Sequence, residues 1–295
     1  MLVTRFAPSP TGFLHLGSAY AALIAHDTAR AHGGRFLLRI EDIDATRCRP
    51  DFEAAIYEDL RWLGLGWDGP VLRQSERLLS YQAALKRLDE LGLVYPCFCS
   101  RKDIAQEVAR SLSAPHGPDG PLYPGTCRSL SRQEAGLRMR AEAYALRLDV
   151  EEAVRLTGAL AFEERGRGPG GEHGHIAAEP MRLGDIVLAS RDRAASYHLA
   201  VVVDDAAQSV SLVTRGHDLF ATAHVQRLLQ ALLDLATPSY AHHELLLDAE
   251  GRKFSKRDHG VTLRALREQG RTPDEIRNQL RHRPGAGLAR SLPDT

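Results

Sequence analysis

A segment near the start of the chain combines residue types that can hold a phosphate. Pro8 and Pro10 stiffen it, whereas Gly12 and Gly17 let a ligand approach the backbone closely. His15 lies where a helix is predicted to begin, and a helix N-terminus offers free N–H groups to an anion. An imidazole there can donate to phosphate oxygens while charge builds up in phosphoryl transfer. A proline-rich turn with a surface histidine would have the same spacing, so both interpretations stay open at this point.

A second group of candidate residues is a pair of lysines late in the chain. Of the 38 basic residues 34 are Arg, yet Lys253 and Lys256 lie within the stretch Lys-Phe-Ser-Lys-Arg, together with Ser255. A compact ammonium on a flexible stem is not equivalent to a planar guanidinium where a phosphate must be reached. The pair favours a phosphate-binding loop, although a chance pairing on a solvated loop is the alternative.

The cysteines suggest a metal site. Cys97, Cys99 and Cys127 are close in sequence, and clustered cysteines in a reducing compartment indicate a metal or catalysis before disulfides. Three thiolates are good soft ligands, but structural zinc takes four. Buried free cysteines are the alternative interpretation. The candidates for a fourth ligand are Tyr123, His116 and Cys48.

Composition narrows the class of protein. The chain has 295 residues with an ordinary apolar fraction, enough for one large or two ordinary domains. Its formal net charge is zero, so attraction of the whole molecule to nucleic acid is not indicated, although a local basic patch would not show in that sum. We find no apolar run of about 20 residues and no signal-peptide pattern, so we expect a cytoplasmic protein without a membrane span.

The elements that must position these residues alternate between strand and helix. The predicted strands are 2–6, 35–40, 183–189, 197–203 and 210–214, and the predicted helices are 15–31, 51–63, 75–91 and 219–235. Alternation of this kind predicts an α/β fold with a parallel sheet covered by helices. Segment 5–18 then lies between a strand and a helix at the carboxyl end of the sheet, where ligands bind in such folds.

The alternation is interrupted in the middle of the chain. From Cys97 to about Pro180 the composition is that of loops, apart from a predicted strand at 145–150. We therefore divide the chain into a split catalytic domain, an inserted subdomain and a C-terminal helical and loop region. The ranges are 1–96 with 180–237, 97–179, and 238–295.

Two ordered signatures give these motifs a family. Arg5-Phe-Ala-Pro-Ser-Pro-Thr-Gly followed by His15-Leu-Gly-Ser resembles the first signature of class I aminoacyl-tRNA synthetases in its glutamyl form, and Lys253-Phe-Ser-Lys-Arg resembles the second. The blocks beginning at Arg39 and Tyr197 also resemble glutamyl synthetases. The resemblance covers roughly residues 2–260 and implies a Rossmann-type doubly wound sheet. Ser18 departs from the usual histidine of the first signature, which puts Ser18 in doubt as a site residue.

The resemblance implies roles for individual residues. It implies that His15 and Lys256 are catalytic and, with Gly17, Lys253 and Ser255, bind ATP with Mg²⁺. The glutamate contacts carried over are Arg5, Ser9, Glu41, Tyr197 and Arg215, of which Ser9 and Glu41 suit the ammonium and the others suit the carboxylates. For Glu41, an ion pair with Arg39 or Arg47 is the structural alternative.

The cysteine pattern and the length point to one branch of the family. Cys-x-Cys followed by Tyr-x-x-x-Cys resembles the zinc site of glutamyl-queuosine tRNA(Asp) synthetases, which implies one structural Zn²⁺ held by Cys97, Cys99, Tyr123 and Cys127. After Arg257 only 38 residues remain, so we expect no anticodon-binding domain. The implied partners are ATP, L-glutamate and tRNA(Asp) carrying queuosine, and we expect a monomer.

Three other functions share part of this pattern. An ordinary glutamyl-tRNA synthetase fragment would charge a tRNA 3′ end, but the cysteine pattern argues against it. A small-molecule nucleotidylyltransferase would share the helix start at His15 but not the blocks at Glu41 and Arg215. A non-catalytic RNA-binding paralogue would not need His15, Lys253 and Lys256.

Overall fold

The computed structural model describes residues 1–110, 116–117, 120–190, 193–247 and 262–281. The strands are β1 (Val3–Phe6), β2 (Arg35–Ile40), β3 (Leu72–Arg73), β4 (Val94–Cys97), β5 (His116–Gly117), β6 (Gly120–Pro121), β7 (Ala145–Leu148), β8 (Ala161–Glu164), β9 (Gly174–Ala177), β10 (Val187–Ser190), β11 (Leu212–Gly216) and β12 (Ser239–His243). The helices are α1 (Leu16–Ala31), α2 (Pro50–Trp62), α3 (Leu78–Glu90), α4 (Arg101–Arg110), α5 (Arg132–Ala141), α6 (Val150–Thr157), α7 (Tyr197–Ala207), α8 (Phe220–Leu232), α9 (Leu263–Glu268) and α10 (Pro273–Arg281).

Parallel strands form the centre of the fold, as the sequence predicted. One sheet has the order β1-β2-β3 and the other has the order β11-β12-β8-β9, in which only β9 runs antiparallel to its neighbour. A backbone hydrogen bond of 3.0 Å from Ser211 to Val3 joins β11 to β1. The carboxyl ends of β1, β2 and β11 therefore lie side by side, and these ends carry the candidate site.

A separate antiparallel sheet lies beside this centre. Its order is β10-β7-β4, and it packs with α3, α6, α7 and α8 around a second apolar core. The first core lies between β1 and β2, α1, α2 and the two C-terminal helices. Among the described residues, no helix is long and apolar enough to cross a bilayer.

The predicted strand at 197–203 is wrong, because these residues begin helix α7. Ser196 caps the helix by accepting from the N–H of Leu199, and the apolar run is buried against the second core. A short apolar run that is buried on most sides has no period that separates a strand from a helix. The predicted strand at 183–189 was also too early, since residues 180–183 form a 3₁₀ turn and the strand is β10.

The stretch from 97 to 180 is more regular than its composition predicted. It holds α4, α5 and α6, whose polar sequences resemble loops, and side-chain caps at Ser131 and Asp149 begin α5 and α6. Strand β8, within the range assigned to the inserted subdomain, pairs with β12 of the parallel sheet. The domain limits remain a prediction.

Candidate active site

His15 lies at the N-terminus of α1 and caps it. Its Nδ1 accepts the backbone N–H of Ser18 at 3.2 Å, so in the neutral ring the proton is on Nε2. The ring borders a cleft of about 410 Å³ that His15 shares with Gly17, Gly216, Asp218 and other residues. A helix terminus with a histidine donor therefore faces a space of suitable size for part of a nucleotide.

Two further residues of this cleft were not among the predicted ATP-binding residues. Gly216 and Asp218 follow Arg215 at the carboxyl end of β11 and line the cleft opposite α1. A Cβ on Gly216 would lie 2.5 Å from Cδ2 of Leu245 and 2.8 Å from a carboxylate oxygen of Asp218. Only glycine fits there without displacing a neighbour. Both residues were within the sequence block beginning at Tyr197, which was the available signal.

The structure does not describe the predicted ATP-binding lysines. Lys253, Ser255 and Lys256 fall outside the described residues, so their predicted part in ATP binding stays a prediction. The described chain resumes beside His15, which forms an isolated β-bridge with Thr262, and the N–H of Leu263 donates to Leu14 at 2.8 Å.

Arg5 and Glu41 belong to one buried charge network. Asp205 accepts from Arg5 Nε at 3.0 Å and from Arg39 at 2.6 Å through the same carboxylate oxygen. Arg39 also donates to Glu41 at 3.3 Å, while Arg5 donates to the carbonyl of Thr214 at 3.3 Å. Asp205 compensates two buried guanidinium groups. Together with the carbonyl of Thr214 on β11, it fixes the side chain of Arg5.

Glu41 is a partly compensated acid. The structural alternative of an ion pair with Arg39 is present, whereas Arg47 pairs with Asp44 instead. Burial raises the pKa of Glu41, and the neighbouring Arg39 and Arg5 charges only partly oppose that. An added cation, such as a substrate ammonium, would stabilise its ionised form. Ser9 is half-buried and close to Glu41 in the fold, because the N–H of Glu41 donates to the carbonyl of the preceding residue, Pro8, at 3.0 Å.

Arg215 lies on β11, the strand next to β1, and is almost fully buried. It donates from Nε to His242 at 3.0 Å and from Nη1 to Gln226 at 2.7 Å, and its guanidinium lies 5.0 Å from the ring centre of Tyr240. Its Nη2 is buried and has no hydrogen-bond partner among the described residues. A buried N–H group of a cation without an acceptor is a group to which a ligand carboxylate fits.

Tyr197 is the predicted glutamate contact that is most exposed. It begins α7 with 36% of its surface accessible, and its ring lies 5.7 Å from that of His198. Burial, together with the charge of Arg215, lowers the pKa of His198 to about 4. His198, the neighbour of Tyr197, is thus neutral and close enough to feel the charge of Arg215. The start of α7 therefore lies near Arg215.

The cysteine cluster forms a compact pocket of ligand atoms. The sulfur atoms of Cys97, Cys99 and Cys127 all lie within 4.8 Å of one another, and Cys99 Sγ is 3.6 Å from Cys127 Sγ. Tetrahedral zinc with bonds of about 2.3 Å sets sulfur atoms about 3.8 Å apart. The Tyr123 hydroxyl lies 3.8 Å from Cys99 Sγ. The three sulfur atoms are therefore close enough together to bind one metal ion, and the Tyr123 oxygen lies next to one of them.

The local electrostatics of the cluster differ from one thiol to the next. Burial raises the pKa of Cys99 to about 12. Burial also opposes ionisation of Cys127, but hydrogen bonds from Tyr123 and from the N–H of Phe98 outweigh it, so its pKa is lowered. Cys48 is not part of this group, since its sulfur lies 3.9 Å from the carbonyl of Glu41. The side chain of His116 is outside the described part of the structure.

The comparison with protein families decides between the candidates. The catalytic-domain family of class I tRNA synthetases for glutamate and glutamine, described as "E and Q", matches residues 1–288. The chain belongs to this family. The class I synthetase resemblance and the α/β fold with its parallel sheet, both predicted from the sequence, are confirmed.

Individual relatives narrow the place of this class I synthetase within the family. It is 53% identical over 95% of its length to the glutamyl-Q tRNA(Asp) synthetase of Rhodobacter capsulatus, of which it covers 99%. It is 44% identical over 92% of its length to the enzyme of the same name from Nocardia farcinica, of which it covers 81%. The predicted resemblance to that branch is confirmed.

A solved structure gives the same fold. A glutamate tRNA ligase from Elizabethkingia meningosepticum, solved with its amino acid, matches with a TM-score of 0.77 and 26% identity. The match covers 99% of this synthetase but 64% of the other chain. This synthetase therefore spans slightly less than two thirds of that ligase.

Proposed function

We propose that this protein activates L-glutamate with ATP and transfers the glutamyl group to queuosine in the anticodon loop of tRNA(Asp). The observation that supports activation most strongly is the convergence of Arg5, Glu41 and Arg215 at the carboxyl ends of adjacent strands, beside the cleft at His15. Glutamate carries two carboxylates and one ammonium. The two buried arginines and the acid match that pattern of charge.

In the activation step the α-carboxylate attacks the α-phosphorus of ATP, and pyrophosphate leaves. We assign His15 Nε2 to the phosphates, where it donates as charge builds up. Gly17 allows the backbone approach, and Lys256 with Lys253 and Ser255 would hold the phosphates from the other side. Mg²⁺ accompanies ATP as part of the substrate. Arg5, Ser9, Glu41, Tyr197 and Arg215 hold glutamate so that its α-carboxylate faces the nucleotide.

In the transfer step the adenylate carbonyl is attacked by a hydroxyl of the queuosine cyclopentenediol, and AMP leaves. The acceptor comes from the names of the relatives, which are glutamyl-Q tRNA(Asp) synthetases. We propose that residues 97–179 hold the RNA stem, with Zn²⁺ bound by Cys97, Cys99, Tyr123 and Cys127 as a structural cross-link. The enzyme would act as a monomer in the cytoplasm, where ATP and tRNA are found.

Glutamate-dependent exchange of pyrophosphate into ATP, without tRNA, tests the activation half. We expect exchange with L-glutamate and much less with L-glutamine, because two buried arginines suit an amino acid with two carboxylates and glutamine has one. Exchange that does not depend on any amino acid would contradict the proposal and favour a small-molecule nucleotidylyltransferase. Absence of exchange would favour a non-catalytic RNA-binding paralogue.

A further inference from the structure

We infer that Glu164 and His242 are positioning residues that orient Arg215 toward a carboxylate of glutamate. The inference rests on the proposed function, because it adds two residues to the glutamate site of that function. Neither residue was among those predicted from the sequence, and neither lines the cleft at His15.

The three residues lie on three neighbouring strands. Arg215 on β11 and His242 on β12 are direct partners in a parallel register. β8 pairs with β12 at Glu164 and Tyr240, two residues before His242. The Glu164 carboxylate reaches His242 along the strand, so the contacts run across three adjacent strands, from β8 through β12 to Arg215 on β11.

The direction of each hydrogen bond follows from chemistry. Arginine can only donate, so the Nε of Arg215 requires His242 Nε2 to accept at 3.0 Å. The ring proton of neutral His242 must then be on Nδ1, which donates to Glu164 at 2.5 Å. Glu164 also accepts the N–H of His242 at 2.8 Å and that of Gly166 at 2.9 Å. We call Glu164, His242 and Arg215, with the two side-chain hydrogen bonds that join them, the relay. Its carboxylate selects the His242 tautomer that can accept a hydrogen bond from Arg215.

Burial supports a neutral histidine beside an ionised acid. The side chains of His242 and Glu164 have no accessible surface. Burial and the charge of Arg215 lower the pKa of His242 to about 4. Burial opposes ionisation of Glu164, but its hydrogen bonds from His242 and Gly166 outweigh that and lower its pKa. Both groups are kept from substrate, so their effect must pass through Arg215.

The relay leaves one side of the guanidinium for a ligand. His242 holds Nε and Gln226 holds Nη1, while the ring of Tyr240 covers a face. Nη2 is the nitrogen with no partner among the described residues. A guanidinium fixed at two donors presents the third in a single direction, which suits recognition of a carboxylate at a set distance.

Glu164→Gln is a sharp test, because it changes almost no volume. The amide oxygen of Gln can keep both backbone N–H groups, so its NH₂ must face His242 Nδ1. The ring then accepts at Nδ1 and carries its proton on Nε2, where it opposes the N–H of Arg215. We expect KM for glutamate in pyrophosphate exchange to rise about 10- to 100-fold, with kcat within about threefold. His242→Gln, which offers one acceptor and one donor, should raise KM for glutamate much less than His242→Leu.

Nitrogen-15 spectra of histidine-labelled enzyme read the tautomer without activity, with His242 identified as the signal lost in His242→Gln. We expect the Nδ1–H form in the unmodified enzyme and the Nε2–H form in Glu164→Gln. Tyr81→Phe is the matched control, because it removes a buried 2.7 Å hydrogen bond to Asp204 and should leave KM unchanged.

The outcomes separate the inference from the proposed function. Exchange by the unmodified enzyme with an unchanged KM in Glu164→Gln, or an Nε2–H tautomer in the unmodified enzyme, would overturn only the inference. Absence of glutamate-dependent exchange in the unmodified enzyme would overturn the function and the inference with it.

Discussion

Arg5, on the first strand, donates from Nε to Asp205 at 3.0 Å across 200 residues of sequence. The same carboxylate oxygen receives Arg39 at 2.6 Å, so one buried acid holds two buried cations. Burial opposes ionisation of Asp205, but the charges and hydrogen bonds of Arg5 and Arg39 together outweigh it and lower its pKa. This pairing ties helix α7 to the sheet and places Arg5 in the candidate site.

Asp205→Asn should therefore impair both stability and glutamate binding. Removing one partner of a buried pair leaves uncompensated charge and costs roughly 3 kcal/mol. We expect that loss in the free energy of urea unfolding, together with a higher KM for glutamate. Glu142→Gln is the control, because Glu142 pairs with Arg138 on the surface and surface pairs contribute little. Equal losses in the two variants would contradict this account of Asp205.

His15→Ala tests the phosphate role. Removal of a donor that acts mainly in the transition state should lower kcat for pyrophosphate exchange by about 100- to 1,000-fold. KM for glutamate should change little, since the cleft that His15 borders is not lined by Arg215. Lys256→Ala should have an effect of the same kind. An increase in KM for glutamate at an unchanged kcat would contradict the phosphate role and indicate that His15 acts on glutamate instead.

Metal analysis tests the cysteine cluster. We expect about one zinc per chain, and we expect Cys99→Ser to lose it and to unfold at a lower temperature, because the cluster ties β4 to the loop that carries Cys127. Cys48→Ser is the matched control and should retain its zinc, since Cys48 lies beside Glu41. Zinc that survives in Cys99→Ser, or is lost from Cys48→Ser, would contradict the ligand set.

Stability should fall on the acid side of neutrality. Burial lowers the pKa of His198, His242 and His243 to about 4 each, so the folded chain keeps these rings neutral. Unfolded histidines take up protons below about pH 6.5. The free energy of unfolding should thus decrease as pH falls from about 6.5 to about 4. His243→Gln should reduce this slope by about one proton in urea unfolding at several pH values, and an unchanged slope would contradict it.

Spacing alone pointed to those parts of the candidate site that are local, whereas the distant residues Arg5, Glu41, Tyr197 and Arg215 were named only through the family resemblance. His15 and its glycines form one turn between a strand and a helix, and Cys97 with Cys99 form one short motif. Asp205, Glu164 and His242 were not predicted, because their partners are set by strand register and by the docking of α7. The first residues of α7 were predicted as a strand for a related reason, since apolar runs buried on most sides have no distinctive period.

The acceptor is the central claim, and labelled glutamate tests it most directly. The enzyme with ATP and radiolabelled L-glutamate should be offered three RNAs, which are tRNA(Asp) with queuosine, tRNA(Asp) with guanosine at that position, and tRNA(Glu). We predict label on the first alone, and we predict that ribonuclease digestion recovers it in the anticodon loop. Label on tRNA(Glu), or equal label on both forms of tRNA(Asp), would contradict the account.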